Sequence, residues 1–181
     1  MKKITWIFLM LAMQVLSTTA FAEMPEALKG TWAVDAKATE AFLKKFPPAN
    51  AERWLPKVTS DMFQRIYDFD NGVITASTYL GDKKSIYRPL SQQSDNKKYI
   101  SEEGGRDDVL IVTIVNESNI VISSSRNQFI GGFFWKRAKL NPDAREQDGK
   151  LAAEASKIAI KDFMQILNPT PDPAGNTDTT R

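Results

Sequence analysis

The 181-residue chain contains neither cysteine nor histidine. Their absence removes the usual ligand sets for zinc and copper, and it removes every Ser-His or Cys-His nucleophilic arrangement. A chain without disulfides must also be stable on packing alone. Carboxylate, Lys, Tyr and Ser side chains remain available for catalysis, but they form no recognisable catalytic motif. We therefore expect a protein that is not an enzyme and that holds neither a metal nor a cofactor.

An excess of charge of one sign is also lacking, since the chain has 24 basic and 22 acidic residues. The first 22 residues contain two of the lysines and no acid, so the predicted mature chain carries 22 residues of each sign. A neutral chain has no electrostatic footprint for nucleic acid or for an anionic membrane surface. We expect no nucleic-acid partner.

The amino-terminal segment has the pattern of a secretory signal peptide. Lys2 and Lys3 precede a mostly apolar run over residues 4–16, and Ala20-Phe21-Ala22 supplies the small-x-small pattern of a cleavage site. The run is shorter than the roughly 20 apolar residues that span a bilayer. We predict a signal peptide over residues 1–22, cleavage after Ala22, a periplasmic or secreted protein, and no transmembrane segment in the mature chain.

Residues 23–140 have the pattern of one antiparallel β-domain. Short segments with β-branched and aromatic residues are separated by turn signals such as Asp70-Asn71-Gly72. The predicted strands cover residues 31–34, 63–69, 73–80, 84–90, 97–102, 109–115, 120–124 and 129–138. Consecutive hairpins favour a mainly β, up-and-down, eight-stranded barrel. An open sheet covered by helices is the alternative.

Helical patterns occur in two places outside the strands. Residues 36–46 follow the candidate N-cap Asp35, and a second helix follows Asn50, so that a two-helix insert lies after the first strand. Pro56 is expected to shorten or kink the second helix. A C-terminal helix is predicted within residues 141–167, starting at Asn141-Pro142 or, if Gly149 breaks it, at Lys150.

The apolar stripe of the C-terminal helix is expected to pack on the barrel wall, or alternatively to bind a partner. Its members are spaced as on one face of a helix and are Ala152, Ala155, Ala159, Phe163 and Ile166. The last segment, residues 168–181, is rich in Pro, Thr, Asp and Asn. That composition predicts a disordered tail.

Two short motifs at the ends of the strand region carry a family resemblance. Gly30-Thr31-Trp32 opens the first strand, and Trp135-Lys136-Arg137 lies in the last. With the strand count, they resemble the lipocalin-like (calycin) barrels, and most closely the small bacterial members. The resemblance implies that Trp32 closes one end of the barrel beneath Arg137, or beneath Lys136 if the register shifts by one. It also implies a barrel that can hold one small ligand. The helices after the first strand and the missing disulfide depart from ordinary lipocalins.

Two arginines within predicted strands are candidate ligand anchors. Arg65 shares a strand face with Phe63, Tyr67 and Phe69. If that face points inward, Arg65 and Tyr67 could bind a ligand carboxylate or phosphate. Alternatively the face points outward, or Arg65 pairs with an acid such as Asp68 or Glu52. Arg88 has the same two interpretations.

The sequence therefore favours an exported binding or accessory protein that holds a small apolar or amphipathic ligand inside a barrel. The alternative is a protein-interaction module with a filled core, which acts through the helices of residues 36–62 or through the C-terminal helix. An enzyme that uses Tyr or carboxylate chemistry is a third hypothesis. The first two differ in one observable, because a carrier needs an internal cavity on the order of several hundred Å³ and an interaction module needs none.

Overall fold

The structure is a computed structural model, and it describes residues 24–81, 84–89, 97–101, 108–126 and 131–169, with only the backbone course given for residues 97–101. The predicted signal peptide and most of the predicted tail lie outside these ranges. In the described part of the chain, no helix combines the length and the apolar character needed to cross a membrane.

The sheet is an antiparallel barrel in up-and-down order. Each strand pairs with the next along the chain, and β1 pairs with both β2 and β8, which closes the sheet. The strands are β1 (Gly30–Val34), β2 (Arg65–Asp70), β3 (Val73–Thr78), β4 (Ser85–Pro89), β5 (Lys97–Ser101), β6 (Val109–Ile114), β7 (Asn119–Ser124) and β8 (Phe134–Arg137). The predicted mainly β, antiparallel, up-and-down barrel is confirmed. The architecture is compatible with a lipocalin-like fold.

The β2–β3 hairpin shows why the sequence pattern predicts these two strands and the turn between them. Asn71 and Gly72 both have positive φ, at 45° and 80°, which is the geometry of the tight two-residue turn that Asn-Gly prefers. The pairing runs from Asp70↔Val73 to Arg65↔Thr78 without a bulge. The register therefore places alternate residues of β2 on the interior face, beginning with Arg65.

Large side chains fill the middle of the barrel. The inward-facing side chains with no accessible surface are Trp32, Tyr67, Ile74, Ile120, Ile122 and Trp135. Tyr67 packs edge-on against Trp135, with the ring centroids 4.8 Å apart, and Trp32 packs edge-on against Phe69 at 6.3 Å. A side chain without accessible surface borders no space that water can enter. These residues therefore form a core.

Two helices lie between β1 and β2 along the chain, α1 (Ala36–Lys45) and α2 (Ala51–Phe63). The Asp35 side chain accepts a hydrogen bond from the Ala38 backbone N–H at 3.2 Å, as an N-cap does. The predicted capping position Asn50 also precedes its helix, but its φ of 53° is left-handed and its side chain makes no capping bond. The helix α2 runs past Pro56, so this proline does not end it.

The C-terminal helix α3 (Arg145–Leu167) follows a 3-10 turn at Pro142–Ala144. Gly149 lies inside the helix, where a Cβ would stand 3.1 Å from the Cβ of Tyr79, so glycine permits a close approach to the barrel. Beyond that point α3 packs mainly on α1 and α2. The expectation that its apolar stripe covers the barrel wall is thus wrong for most of its length, because the two preceding helices occupy that side. Its buried residues are Ser156, Ala159 and Phe163.

Candidate functional site

One end of the barrel brings together the predicted pair Trp32 and Arg137. These residues are register partners on β1 and β8, and the Arg137 guanidinium carbon lies 5.1 Å from the centroid of the Trp32 ring. Trp32 is fully buried, and its indole N–H donates to the carbonyl of Leu28 at 2.8 Å. The register thus brings Arg137, and not Lys136, to the indole.

Arg137 also binds the segment that precedes β1. Its guanidinium donates to the carbonyls of Lys29 at 2.5 Å, Ala27 at 2.8 Å and Glu26 at 3.4 Å. These carbonyls belong to or follow the 3-10 turn Glu26–Leu28. The sequence offered only a weak signal for this contact, namely the apolar Leu28 just ahead of the Gly-x-Trp motif. The arrangement uses the donors of Arg137 within the chain and leaves it a structural role.

The opposite end of the barrel contains the candidate ligand anchor Arg65, and the other candidate, Tyr67, lies further inside as the register partner of Trp32. Both project from the interior face of β2, because Arg65 pairs with Thr78 and Tyr67 with Ala76. Beside Arg65 lies a cavity of about 180 Å³, which we call the Arg65 pocket and which is smaller than the several hundred Å³ expected for a carrier of a whole ligand. Its lining residues are Arg65, Ala76, Ser77, Thr78, Ser85 and Tyr87.

The charge of Arg65 is held in a largely buried position. Burial lowers the pKa of the guanidinium, but the neighbouring Tyr67, Tyr87 and Asp61 raise it by more, so that the pKa lies above its ordinary value. None of the ion pairs formed within the described ranges involves Arg65. The suggested partner Asp68 lies on the other face of β2 and accepts a hydrogen bond from the Thr31 hydroxyl. Arg65 thus remains a cation facing a cavity.

Asp108 does not line the pocket but holds the hydroxyl of the lining residue Tyr87. Its carboxylate accepts hydrogen bonds from the Tyr87 hydroxyl at 3.1 Å, the Ser124 hydroxyl at 2.7 Å and the Ser125 hydroxyl at 3.1 Å. The Arg126 backbone N–H approaches the same carboxylate at 3.3 Å. Burial, followed by the charge of Asp108, raises the pKa of Tyr87. No local motif marked Asp108 as part of a site, because its partners come from two distant strands.

Two polar atoms in the barrel interior have no hydrogen-bond partner among the described residues. They are the Tyr67 hydroxyl and the Trp135 indole N–H. Burial raises the pKa of Tyr67, and the nearby Arg65 guanidinium offsets part of that rise without meeting hydrogen-bond geometry. The Tyr67 hydroxyl is therefore a neutral donor held beside a cation.

Arg88, the other predicted anchor, is not brought to this pocket. Tyr87 is buried and points inward, and the next residue along β4, Arg88, is exposed on the opposite face. The sequence could not distinguish Arg65 from Arg88, but in the structure Arg65 lies on the inner face of its strand and Arg88 on the outer face of its strand. The structure brings together Arg65, Tyr67, Tyr87 and Asp108, and it leaves Arg88 outside.

Among the residues that the structure describes, no group of three or more acidic side chains is placed to hold a metal ion. Comparison of the chain with models of protein families, with curated proteins and with solved structures finds no match. The interpretation of the Arg65 pocket therefore depends on its own geometry.

Proposed function

We propose that the protein is an exported, non-enzymatic binding protein built on an eight-stranded, lipocalin-like barrel with a two-helix insert. Its ligand is a small molecule with an anionic group, bound in the Arg65 pocket. One observation carries this proposal: the Arg65 guanidinium faces a cavity and forms no ion pair within the described part of the chain. A largely buried cation that forms no ion pair among the described residues is costly unless an anion joins it.

The chemistry of the pocket favours binding over catalysis. The phenols of Tyr67 and Tyr87 have raised pKa values, so both stay protonated at neutral pH and neither is an activated base. The Asp108 carboxylate is occupied by three hydroxyl donors and one backbone N–H. The Tyr67 hydroxyl is therefore suited to donating to an anion beside Arg65, Asp108 fixes the Tyr87 hydroxyl, and neither phenol is suited to exchanging protons with a ligand.

The proposal is tested by native mass spectrometry of the mature protein purified from the compartment to which it is exported. The wild type should carry a small molecule that is released on denaturation. Arg65→Met should lose that molecule, whereas the matched control Arg88→Met should keep it, because Arg88 is on the outer face. A wild-type protein without any bound molecule, or an Arg65→Met variant that carries as much as the wild type, would contradict the proposal.

A second candidate function is protein interaction through the inserted helices. It is favoured by Phe46, an aromatic side chain that is 54% exposed at the end of α1. Phe46 borders a cleft of about 170 Å³ together with Phe42 and Trp54. Under this alternative, chemical cross-linking in the native compartment should link the wild type to another protein, and Phe46→Ser should abolish that link without a change in stability. Equal cross-linking of both proteins would contradict it.

A further inference from the structure

We infer that the Arg65 pocket selects a small monocarboxylate of about the size of one six-membered ring. The carboxylate points inward to Arg65, and any longer apolar chain extends outward into solvent. This inference rests on the proposed function and specifies the class and orientation of its ligand. It follows from the volume of the pocket, from the packing behind it and from the charges around it.

The volume sets the size of the bound group. The pocket measures about 180 Å³. A cavity of roughly 150 Å³ is large enough to hold benzene. A ring that carries a carboxylate fits the Arg65 pocket when its outer edge remains at the mouth, whereas the several hundred Å³ of a typical cofactor or drug-sized site are not present in it.

The packing behind the pocket sets the orientation. Tyr67 and Trp135 have no accessible surface, and their rings meet edge-on at 4.8 Å directly beyond Arg65 along the interior face. Ile122, on β7, is also fully buried. An apolar chain therefore cannot continue into the middle of the barrel as the sequence had suggested. A ligand that reaches Arg65 with its carboxylate must leave through the mouth with its other end.

The charges around the pocket favour a singly charged anion over a doubly charged one. Arg65 contributes one positive charge, Asp61, which raises the pKa of Arg65, contributes one negative charge, and the Asp108 carboxylate, bonded to the Tyr87 hydroxyl at 3.1 Å, contributes another. A monoanion can pair with Arg65 through two parallel hydrogen bonds. The second charge of a dianion such as phosphate would be repelled by Asp61 and Asp108 in a partly buried site, where screening by solvent is weak. The pocket thus favours a carboxylate over a phosphate.

The test is a titration of the purified mature protein with benzoate, monitored by calorimetry and by NMR shifts of the β2 and β4 amides. Benzoate should bind saturably, and 4-butylbenzoate should bind at least as well because its chain leaves through the mouth. Benzyl alcohol and inorganic phosphate should not saturate at the same concentrations. Arg65→Met should weaken benzoate binding about tenfold or more. Arg65→Lys keeps the positive charge but cannot form two parallel hydrogen bonds to a carboxylate, so its benzoate affinity should lie between those of the wild type and Arg65→Met. The control Arg88→Met should bind benzoate as tightly as the wild type.

The outcomes separate the two proposals. If the natively purified protein carries a small molecule but benzoate does not bind, the ligand class is wrong and the proposed function stands. If 4-butylbenzoate is excluded while benzoate binds, the outward orientation is wrong. If phosphate competes as well as benzoate, the selection by charge is wrong. Should Arg65→Met fail to fold, which circular dichroism would show, the comparison of Arg65→Lys with Arg88→Met decides the role of Arg65.

Discussion

The contact between Arg137 and the segment before β1 yields a quantitative prediction. Arg137→Met keeps a long apolar stem but removes the guanidinium. That group stacks on Trp32 at 5.1 Å and donates to three backbone carbonyls, those of Glu26, Ala27 and Lys29. The substitution should therefore destabilise the protein and release the 3-10 turn at Glu26–Leu28 from the end of the barrel.

The magnitude follows from the individual contacts. The cation–π contact contributes about 0.5–1 kcal/mol at a partly exposed site. The two shorter hydrogen bonds, at 2.5 and 2.8 Å, contribute roughly 0.5–1.5 kcal/mol each, and the 3.4 Å contact contributes little. Because Arg137 is itself exposed, we take the lower half of these ranges and expect a loss of about 2 kcal/mol for Arg137→Met.

The assay is equilibrium urea unfolding of Arg137→Met, with Lys136→Met as the matched control. Lys136 is the exposed neighbour on β8 and points to the other face, so its loss should change the free energy of unfolding by less than about 0.5 kcal/mol. Hydrogen exchange at the backbone amide of Leu28, which bonds to the carbonyl of Pro25, should accelerate only in the Arg137 variant. Equal stability of the two variants would refute the reasoning that Arg137 fastens the N-terminal segment.

Three further predictions concern buried aromatic residues. Trp32→Ala should cost about 3–5 kcal/mol in urea unfolding, and a loss below about 1 kcal/mol would exclude a core role for this fully buried indole. Tyr67→Phe should leave the melting temperature of the ligand-free protein unchanged or raise it, because the removed hydroxyl is buried without a described partner; a clear decrease would mean that the hydroxyl has a bound partner. The free energy of unfolding should fall as pH rises above about 10. The pKa of Tyr87 is raised in the folded protein, so the Tyr87 hydroxyl loses its proton first in the unfolded chain. Tyr87→Phe should therefore make this decline shallower. An identical alkaline slope in both proteins would contradict the raised pKa.

Much of the barrel was predictable because its signals are local. Alternation of side chains and the Asn71-Gly72 turn mark β2 and β3 without reference to any distant residue. Asp35 marks the start of α1 in the same way. The apolar stripe of α3 was equally visible, but its partner was not. Helical spacing shows which face is buried and gives no information about the element that buries it.

The candidate site was only half predictable, for a geometric reason. Arg65 and Arg88 both sit in short strands with apolar neighbours, and the sequence alone does not show which face of each strand points inward. On β4, Ile86 and Tyr87 place one apolar residue on each face, so the pattern does not show which face points into the barrel. The contact of Asp108 was harder still to predict, because its hydrogen bond to Tyr87 joins residues 21 positions apart through the register of three strands.

The arginines at the two ends of the barrel differ in how their hydrogen-bond donors and charge are used. Arg137 donates to three backbone carbonyls of its own chain, so its hydrogen-bond donors hold the segment before β1 against the barrel. Arg65 has no ion pair within the described ranges, and its neighbours Tyr67, Tyr87 and Asp61 raise its pKa. A charge that forms no ion pair among the described residues has interaction energy left for a ligand. For this reason we propose that the end of the barrel that contains Arg65 binds a ligand and that the end that contains Arg137 is closed.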